Sequence, residues 1–366
     1  MKNSLNRRSF IREISVASAL LPILASAQDT PKHAGTKIKV ALVGLGRYAE
    51  YMASQMKECK YCELTALVSG TPSKLESWGK EYAIPLKNRY NYENFDSIKD
   101  NLDIDLVYII LPNALHKEYA IRAAKAKKHV LVEKPMALNA ADCLEMMKVC
   151  NDNKVQLAMG YRLHFEPYNM EMMRLGQQKV FGSVRVVEAS LGYNAGQKGE
   201  WRLNKKLAGG GPLMNLGVYC VQAGRYITGE EPIAVTAQFG PILRKELFAE
   251  VEETIIWQME FPSGAICTST STYAAGIDRV FAGAEKDFFE LSPAISYGPF
   301  KGRTRNTEMN FPEINQQATQ MDAISKVLLE KKILPEDISG IEGWKDMKVI
   351  DAIYKAAETG EKVKIG

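Results

Sequence analysis

The sequence predicts an α/β protein in two parts: a doubly wound parallel sheet, then a second α/β part built on a large, mostly antiparallel open sheet. Three observations predict it. Between residues 37 and 159, short apolar runs rich in β-branched residues alternate with amphipathic stretches of helical period. From about residue 160 the apolar runs lengthen and are separated by turn signals instead of helices. A chain of 366 residues, 46% of them hydrophobic, is also long and apolar enough to fill two cores at roughly 150 residues per domain.

Taken in order, residues 1–27 stand apart. "NRRSFIRE" at 6–13 is basic, "ISVASALLPIL" at 14–24 is a short apolar run, and "ASA" at 25–27 is a small-residue cleavage site, the pattern of a removable export signal. The apolar run falls short of the roughly 20 residues a spanning helix needs, so no membrane anchor is expected. Arg7 and Arg8, followed by Ser9 and Phe10, resemble the twin-arginine signal, whose translocon exports folded proteins; the expected location is periplasmic. A short arm, 28–36, precedes the first strand.

"KIKVALVGLG" at 37–46 is a buried strand, followed by a helix through "YAEYMASQMKEC" at 48–59. The alternation continues with a strand at 62–70, a helix at 72–82, a strand at 105–112, a helix at 115–127, a strand at 129–135, a helix at 139–153 and a strand at 155–161. The longer strands follow at 183–193, 232–240, 252–273 and 287–293. Helical segments over 312–359 close the chain, the last ending on a glycine cap at Gly360.

"VGLGRYAEY" at 43–51 places Gly44 and Gly46 after the first strand and Ala49 in the third small position, a G-x-G-x-x-A fingerprint between strand and helix. Small residues there permit a tight turn and close approach of the backbone to a pyrophosphate at the helix N-terminus, so residues 37–159 are expected to form a Rossmann dinucleotide-binding domain. At the end of the second strand, "LVSGTPSK" at 67–74 lacks the acid that binds the ribose hydroxyl pair of NAD. NADP is therefore expected rather than NAD, with Ser69, the backbone at Gly70 and Thr71, and Lys74 meeting its 2′-phosphate.

The balance of 47 basic and 43 acidic residues, brought still closer to neutral by loss of the leader, gives no reason to expect a nucleic-acid partner. Of the six cysteines only Cys59 and Cys62 are in C-x-x-C spacing, with no second ligand pair, and the four histidines have no metal-ligand spacing; no metal is assigned. "GPLMNLGVYCVQAG" at 211–224 is predicted as a helix whose apolar run is interrupted by Asn215 and Tyr219, four apart and so on one face.

"VLVEKPMA" at 130–137, with "GLGRYA", "YIILPNALH", "GYRLHFEPYN", "EWRLNKKLAGGG" and "MNLGVYCVQAGRYITGEEP" in order along both parts, resembles the glucose-fructose oxidoreductase, inositol dehydrogenase and rhizopine-catabolism family, and most nearly its periplasmic glucose-fructose branch. The resemblance implies that residues 160–366 form a substrate and oligomerisation domain, with sugar held in the cleft between the two parts. It also implies a homo-oligomer, dimer or tetramer, formed through the C-terminal sheet. It makes Lys134 the catalytic lysine, before a cis Pro135, and adds Leu45, Arg47, Tyr48, Leu111, Asn113, His116, Glu133, Arg162, Trp201 and Arg202 to the cofactor site. Lys134, Arg162, Asn215 and Tyr219 are the implied substrate contacts.

Many members have Asp and His where this chain has Asn215 and Tyr219; the glucose-fructose branch has Asp and Tyr. Tyr219 is thus the expected general acid/base, its phenolate stabilised by Lys134. Asn215 departs from the pattern, because an amide can orient a hydroxyl but cannot take its proton. The expected activity is hydride transfer between an aldose or related sugar and tightly bound NADP, alternating oxidation of one sugar with reduction of another. A dehydrogenase or reductase with exchangeable cofactor is the alternative that the short arm favours, and Asn215 keeps open a catalytically retired sensor. A glycoside-cleaving branch is disfavoured by Tyr219, where that branch has His.

Overall fold

The computed structural model describes residues 37–195 and 199–366. The expected leader, its twin-arginine pair and the arm lie outside the described residues.

The first sheet contains β1 (Ile38–Val43), β2 (Cys62–Val68), β3 (Arg89–Tyr90), β4 (Leu106–Ile109), β5 (His129–Glu133) and β6 (Leu157–Gly160), all parallel, in the order β3-β2-β1-β4-β5-β6. The helices between them are α1 (Arg47–Gln55), α2 (Pro72–Glu81), α3 (His116–Lys125) and α4 (Ala140–Asp152). β4 is buried at every position, as strands covered on both faces must be. The strand order reverses between β1 and β4, which opens a crevice at their carboxyl ends. The helix expected over 48–59 is shorter: α1 stops at Gln55 and a 3-10 turn, Met56–Glu58, completes the segment. β3, only two residues long, has no alternating pattern to announce it.

The second sheet has nine strands: β7 (Val184–Gly192), β8 (Ala234–Phe239), β9 (Thr254–Glu260), β10 (Ile266–Thr272), β11 (Ile277–Ala284), β12 (Phe288–Leu291), β13 (Gly302–Thr304), β14 (Glu308–Met309) and β15 (Val363–Lys364). Their order is β14-β13-β12-β11-β7-β10-β9-β8-β15, and only the β7–β10 pair is parallel. Helices α5 (Pro167–Gln177), α6 (Lys205–Ala208) and α7 (Val218–Thr228) precede β8; α8 (Gln316–Leu329) and α9 (Gly340–Thr359) follow β14. α9 ends at Gly360, whose φ of 71° gives the expected glycine cap. One sheet face packs on α5, α7 and α9. The other exposes Val186, Ile256 and Ile266, each more than 40% accessible.

α8 crosses back to the first sheet: its Ala318, Met321, Ile324 and Leu328 share a core with Ile38, Val40 and Leu42 of β1. The described residues consequently pack as one compact unit. No described helix is long and apolar enough to cross a membrane.

Candidate active site

A cleft of about 1960 Å³ lies between the carboxyl ends of β1, β4 and β5 and the chain around β7, α7 and residues 292–297. Its floor is the glycine turn. Gly44 has φ +91°, and a Cβ there would lie 2.5 Å from the Ile110 carbonyl oxygen, so only glycine fits. A Cβ on Gly46 would meet nothing within 4 Å; its backbone faces open space, and no side chain caps the N-terminus of α1. That is the cradle a pyrophosphate requires. Ser69 is buried and its Oγ accepts from the Thr71 N–H at 3.1 Å. Lys74 Nζ donates to the Leu45 carbonyl at 2.7 Å, which fixes the start of α2 against the glycine turn. Leu45, Arg47, Tyr48, Gly70 and Leu111 line the same cleft.

Two expected cofactor-site residues line the cleft and also act as braces. His116 heads α3 with Nδ1 2.9 Å from the Pro135 carbonyl and Nε2 2.9 Å from the Leu111 carbonyl. Burial lowers its pKa and the two carbonyls oppose the fall; both being acceptors, a neutral ring donates to only one of them at a time, and the ring sits between the β4 loop and the turn carrying Lys134. Asn113 Nδ2 donates to the Ala208 carbonyl at 2.8 Å and spans the cleft wall to α6.

Lys134 follows Glu133 at the end of β5, and the Lys134–Pro135 peptide is cis as expected. Its Nζ donates to the Asn215 carbonyl at 2.8 Å and stands 4.7 Å from the centroid of the Tyr219 ring. Burial lowers the ammonium's pKa to about 7; Glu133 opposes the fall, and Arg202 and Arg162 add to it. Burial raises the pKa of Glu133, which accepts from Tyr108 Oη at 2.5 Å.

The helix expected from residue 211 is not continuous. A π-turn, Leu213–Gly217, carries Asn215 and leads into α7, which carries Tyr219. Such turns replace the four-residue hydrogen-bond step by one of five and recur at functional sites. Here the main chain of Asn215 receives Lys134, while its side chain faces the phenols of Tyr193 and Tyr273. Buried Glu252 anchors the start of the turn, accepting from Gly211 N–H at 2.9 Å, Leu213 N–H at 3.1 Å and Tyr354 Oη at 3.0 Å. Tyr219 has its pKa raised by burial, with Arg162 pulling the other way and Glu133 adding to the rise.

Arg162, expected to meet phosphate or substrate oxygen, lines the cleft and is also engaged by the protein: its guanidinium donates to the carbonyls of Ile295 and Ser296 and to Gln316 Oε1. Trp201 and Arg202 lie in a 3-10 turn on the cleft rim. Arg202 stacks 4.6 Å from the Trp201 ring and pairs with Glu200 at 3.2 Å. Far from the cleft, Cys59, Cys62 and Asp322 place ligand atoms within 4.8 Å of one another, a cluster that the C-x-x-C spacing alone does not reveal. The Asp322 carboxylate is already committed to the Lys60 and Tyr61 N–H groups at 2.8 and 2.9 Å.

A profile of the oxidoreductase family with the NAD-binding Rossmann fold matches residues 38–161, and one of the GFO/IDH/MocA C-terminal domain matches residues 170–286. The chain belongs to the GFO/IDH/MocA oxidoreductase family. Members with known structure or activity include the aldose-aldose oxidoreductase of Caulobacter crescentus, solved in complex with glycerol. It is 41% identical over 90% of this chain and 99% of its own, with a TM-score of 0.86. D-xylose 1-dehydrogenase [NADP(+)] of Haloarcula marismortui is 26% identical over 93% of this chain and 95% of its own. D-glucoside 3-dehydrogenase of Escherichia coli is 24% identical over 90% and 97%. As a GFO/IDH/MocA member the protein is a nicotinamide-dependent oxidoreductase, and the fold and family expected from the sequence are both borne out.

Proposed function

We propose that the protein is an exported sugar oxidoreductase that moves a hydride between an aldose or related sugar and a tightly held NADP, oxidising one sugar and reducing another in turn. The observation that carries this reading is the meeting of Lys134 and Tyr219 at the mouth of the dinucleotide cleft, 4.7 Å from Nζ to ring centroid. Likeness to an aldose-aldose oxidoreductase and to an NADP-dependent xylose dehydrogenase supports the sugar and the nucleotide. The lack of an acid at the end of β2, with Ser69, Thr71 and Lys74 in its place, also favours NADP.

Bound at the glycine turn, the nicotinamide would supply or accept the hydride. The chain's own residues manage the proton and the pose. Tyr219, protonated at neutral pH because burial raises its pKa, exchanges its proton with the sugar oxygen. Lys134 titrates near neutrality and supplies a charge next to the ring that receives the electron pair. Asn215, between Tyr193 and Tyr273, orients a neighbouring hydroxyl. The twin-arginine motif supports a periplasmic location, and the exposed apolar face of the second sheet supports a homo-oligomer.

Protein purified without added nucleotide is expected to contain NADP by mass spectrometry, and an aldose is expected to raise the absorbance of reduced nicotinamide. An empty protein that binds NAD as well as NADP would overturn the tightly held cofactor and favour the exchangeable-cofactor dehydrogenase. Sugar binding without reduction would identify a sensor.

A further inference from the structure

Arg162 occupies the 3-10 turn Arg162–Phe165 after β6 and is 4% exposed. A guanidinium so far removed from water ordinarily has a carboxylate beside it, as Arg225 has Asp346, Glu342 and Glu231 in this protein. Arg162 makes no ion pair among the described residues. Its acceptors are two main-chain carbonyls, one amide oxygen and the Tyr219 hydroxyl, all neutral, and its Nε has no partner. The cation lies 5.4 Å from the centroid of the Tyr219 ring and 4.5 Å from that of Tyr297.

Five charged or titratable side chains act on Tyr219 among the described residues: Arg162, Lys134 and Glu133 from β5 and the turn after it, Tyr48 from α1, and Tyr297 from the segment after β12. Lys134 lies over the ring and spends a proton on the Asn215 carbonyl. Glu133 is turned to Tyr108. Of the two cations, Arg162 is the one that acts on the Tyr219 hydroxyl by both charge and hydrogen bonding.

We propose that Arg162 is a positioning residue for Tyr219, its carboxylate-free guanidinium being the built-in counter-charge for a phenolate. The proposal rests on the sugar chemistry above. In the reductive direction the Tyr219 O–H bond breaks and an O–H bond forms on the sugar oxygen. The electron pair stays on Tyr219 Oη, and the adjacent carbon gains the hydride of reduced nicotinamide; oxidation is the reverse. Negative charge thus rests on Oη at one end of each half-reaction, in a buried site that opposes it. A cation fixed in place during folding stabilises that charge with no reorganisation at the moment of reaction. A carboxylate ion-paired with Arg162 would cancel much of the effect; Glu133, which feels the Arg162 charge, is turned to Tyr108 instead.

The test is to place difluorotyrosine at position 219 of the full-length, NADP-saturated protein and follow its fluorine resonance against pH, fluorination bringing the phenol's titration into reach. In Arg162→Met the midpoint is expected to rise by about one pH unit or more, a tenfold weaker acid. In Arg162→Lys, which keeps the charge but not the fork, it should rise by about half a unit. Should the Met variant fail to fold, the Lys variant alone still decides, because its midpoint must lie above the parent's. Midpoints within about 0.3 of the parent in the folded variants would overturn the proposal. No sugar is turned over in this titration, so a protein that shows the shift yet is reduced by no aldose refutes the sugar reaction and leaves the Arg162–Tyr219 pairing standing.

Discussion

Replacing Lys134 by methionine is expected to stabilise the nucleotide-free protein at and below neutral pH, with a gain that fades as the pH rises. In the unfolded chain this ammonium titrates at about 10.5, and in the folded cleft burial lowers that to about 7. Stability rises with pH wherever the unfolded state binds more protons than the folded one. Between the two values the unfolded lysine is charged and the folded one neutral, so the wild-type protein gains stability across that window and bears the full penalty below its lower edge. At about 1.4 kcal/mol for each tenfold change in proton affinity, the penalty is roughly 5 kcal/mol. Methionine is unbranched like lysine and one atom shorter, and it leaves the Asn215 carbonyl without its 2.8 Å donor, a loss of about 1–3 kcal/mol. The net gain is then about 2–4 kcal/mol at about pH 6, vanishing or reversing near pH 10. Urea unfolding of both proteins across this range measures it. A difference that does not change with pH, or a variant less stable than the parent at the acid end, would refute the reasoning.

Tyr219→Phe keeps the ring beside Lys134 but removes the exchangeable proton. NADP binding should survive while single-turnover reduction of the nucleotide by an aldose slows by roughly 10²-fold or more; an unchanged rate would make Tyr219 a packing residue. Asn215→Asp puts a carboxylate near the ammonium and should raise the pKa of Lys134 above about 7. More of the charged ammonium above pH 7 should then move the falling, Lys134-dependent limb of the pH–rate profile to higher pH, and an unshifted limb would contradict the electrostatics assigned to the pair.

The cofactor half of the site was legible because its determinants are local. The turn at Gly44 depends on one backbone angle and on the absence of one Cβ, and the strand-turn-helix pattern around it lies within twenty residues. The other half depends on partners distant in sequence. Arg162 is held by acceptors at Ile295, Ser296 and Gln316, and no spacing near "GYR" forecasts them. Glu252, forty-one positions after Gly211, holds the start of the catalytic turn; the glycines at 209–211 were the only local hint that something approaches there. The π-turn escaped because apolar periodicity does not distinguish a four-residue from a five-residue hydrogen-bond step over a single turn. α8 has the composition of any amphipathic helix, and nothing in its sequence says which sheet it will cover.

That return of α8 to the first sheet also bears on how the protein trades its ligands. Many two-part enzymes swing open on a pair of linking strands, and whatever is held in the jaws leaves with each swing. Here the first residue of α8 receives Arg162 while its apolar side is sunk in the core beneath β1, so a wide swing would tear helix from sheet. The segments carrying Trp201 and Tyr297 form the rim of the cleft, and exchange of a small sugar there would leave the tightly held dinucleotide proposed above seated at the glycine turn. A hull with a hatch and no hinge suits the exported catalyst proposed above, far from the cytoplasmic nucleotide supply.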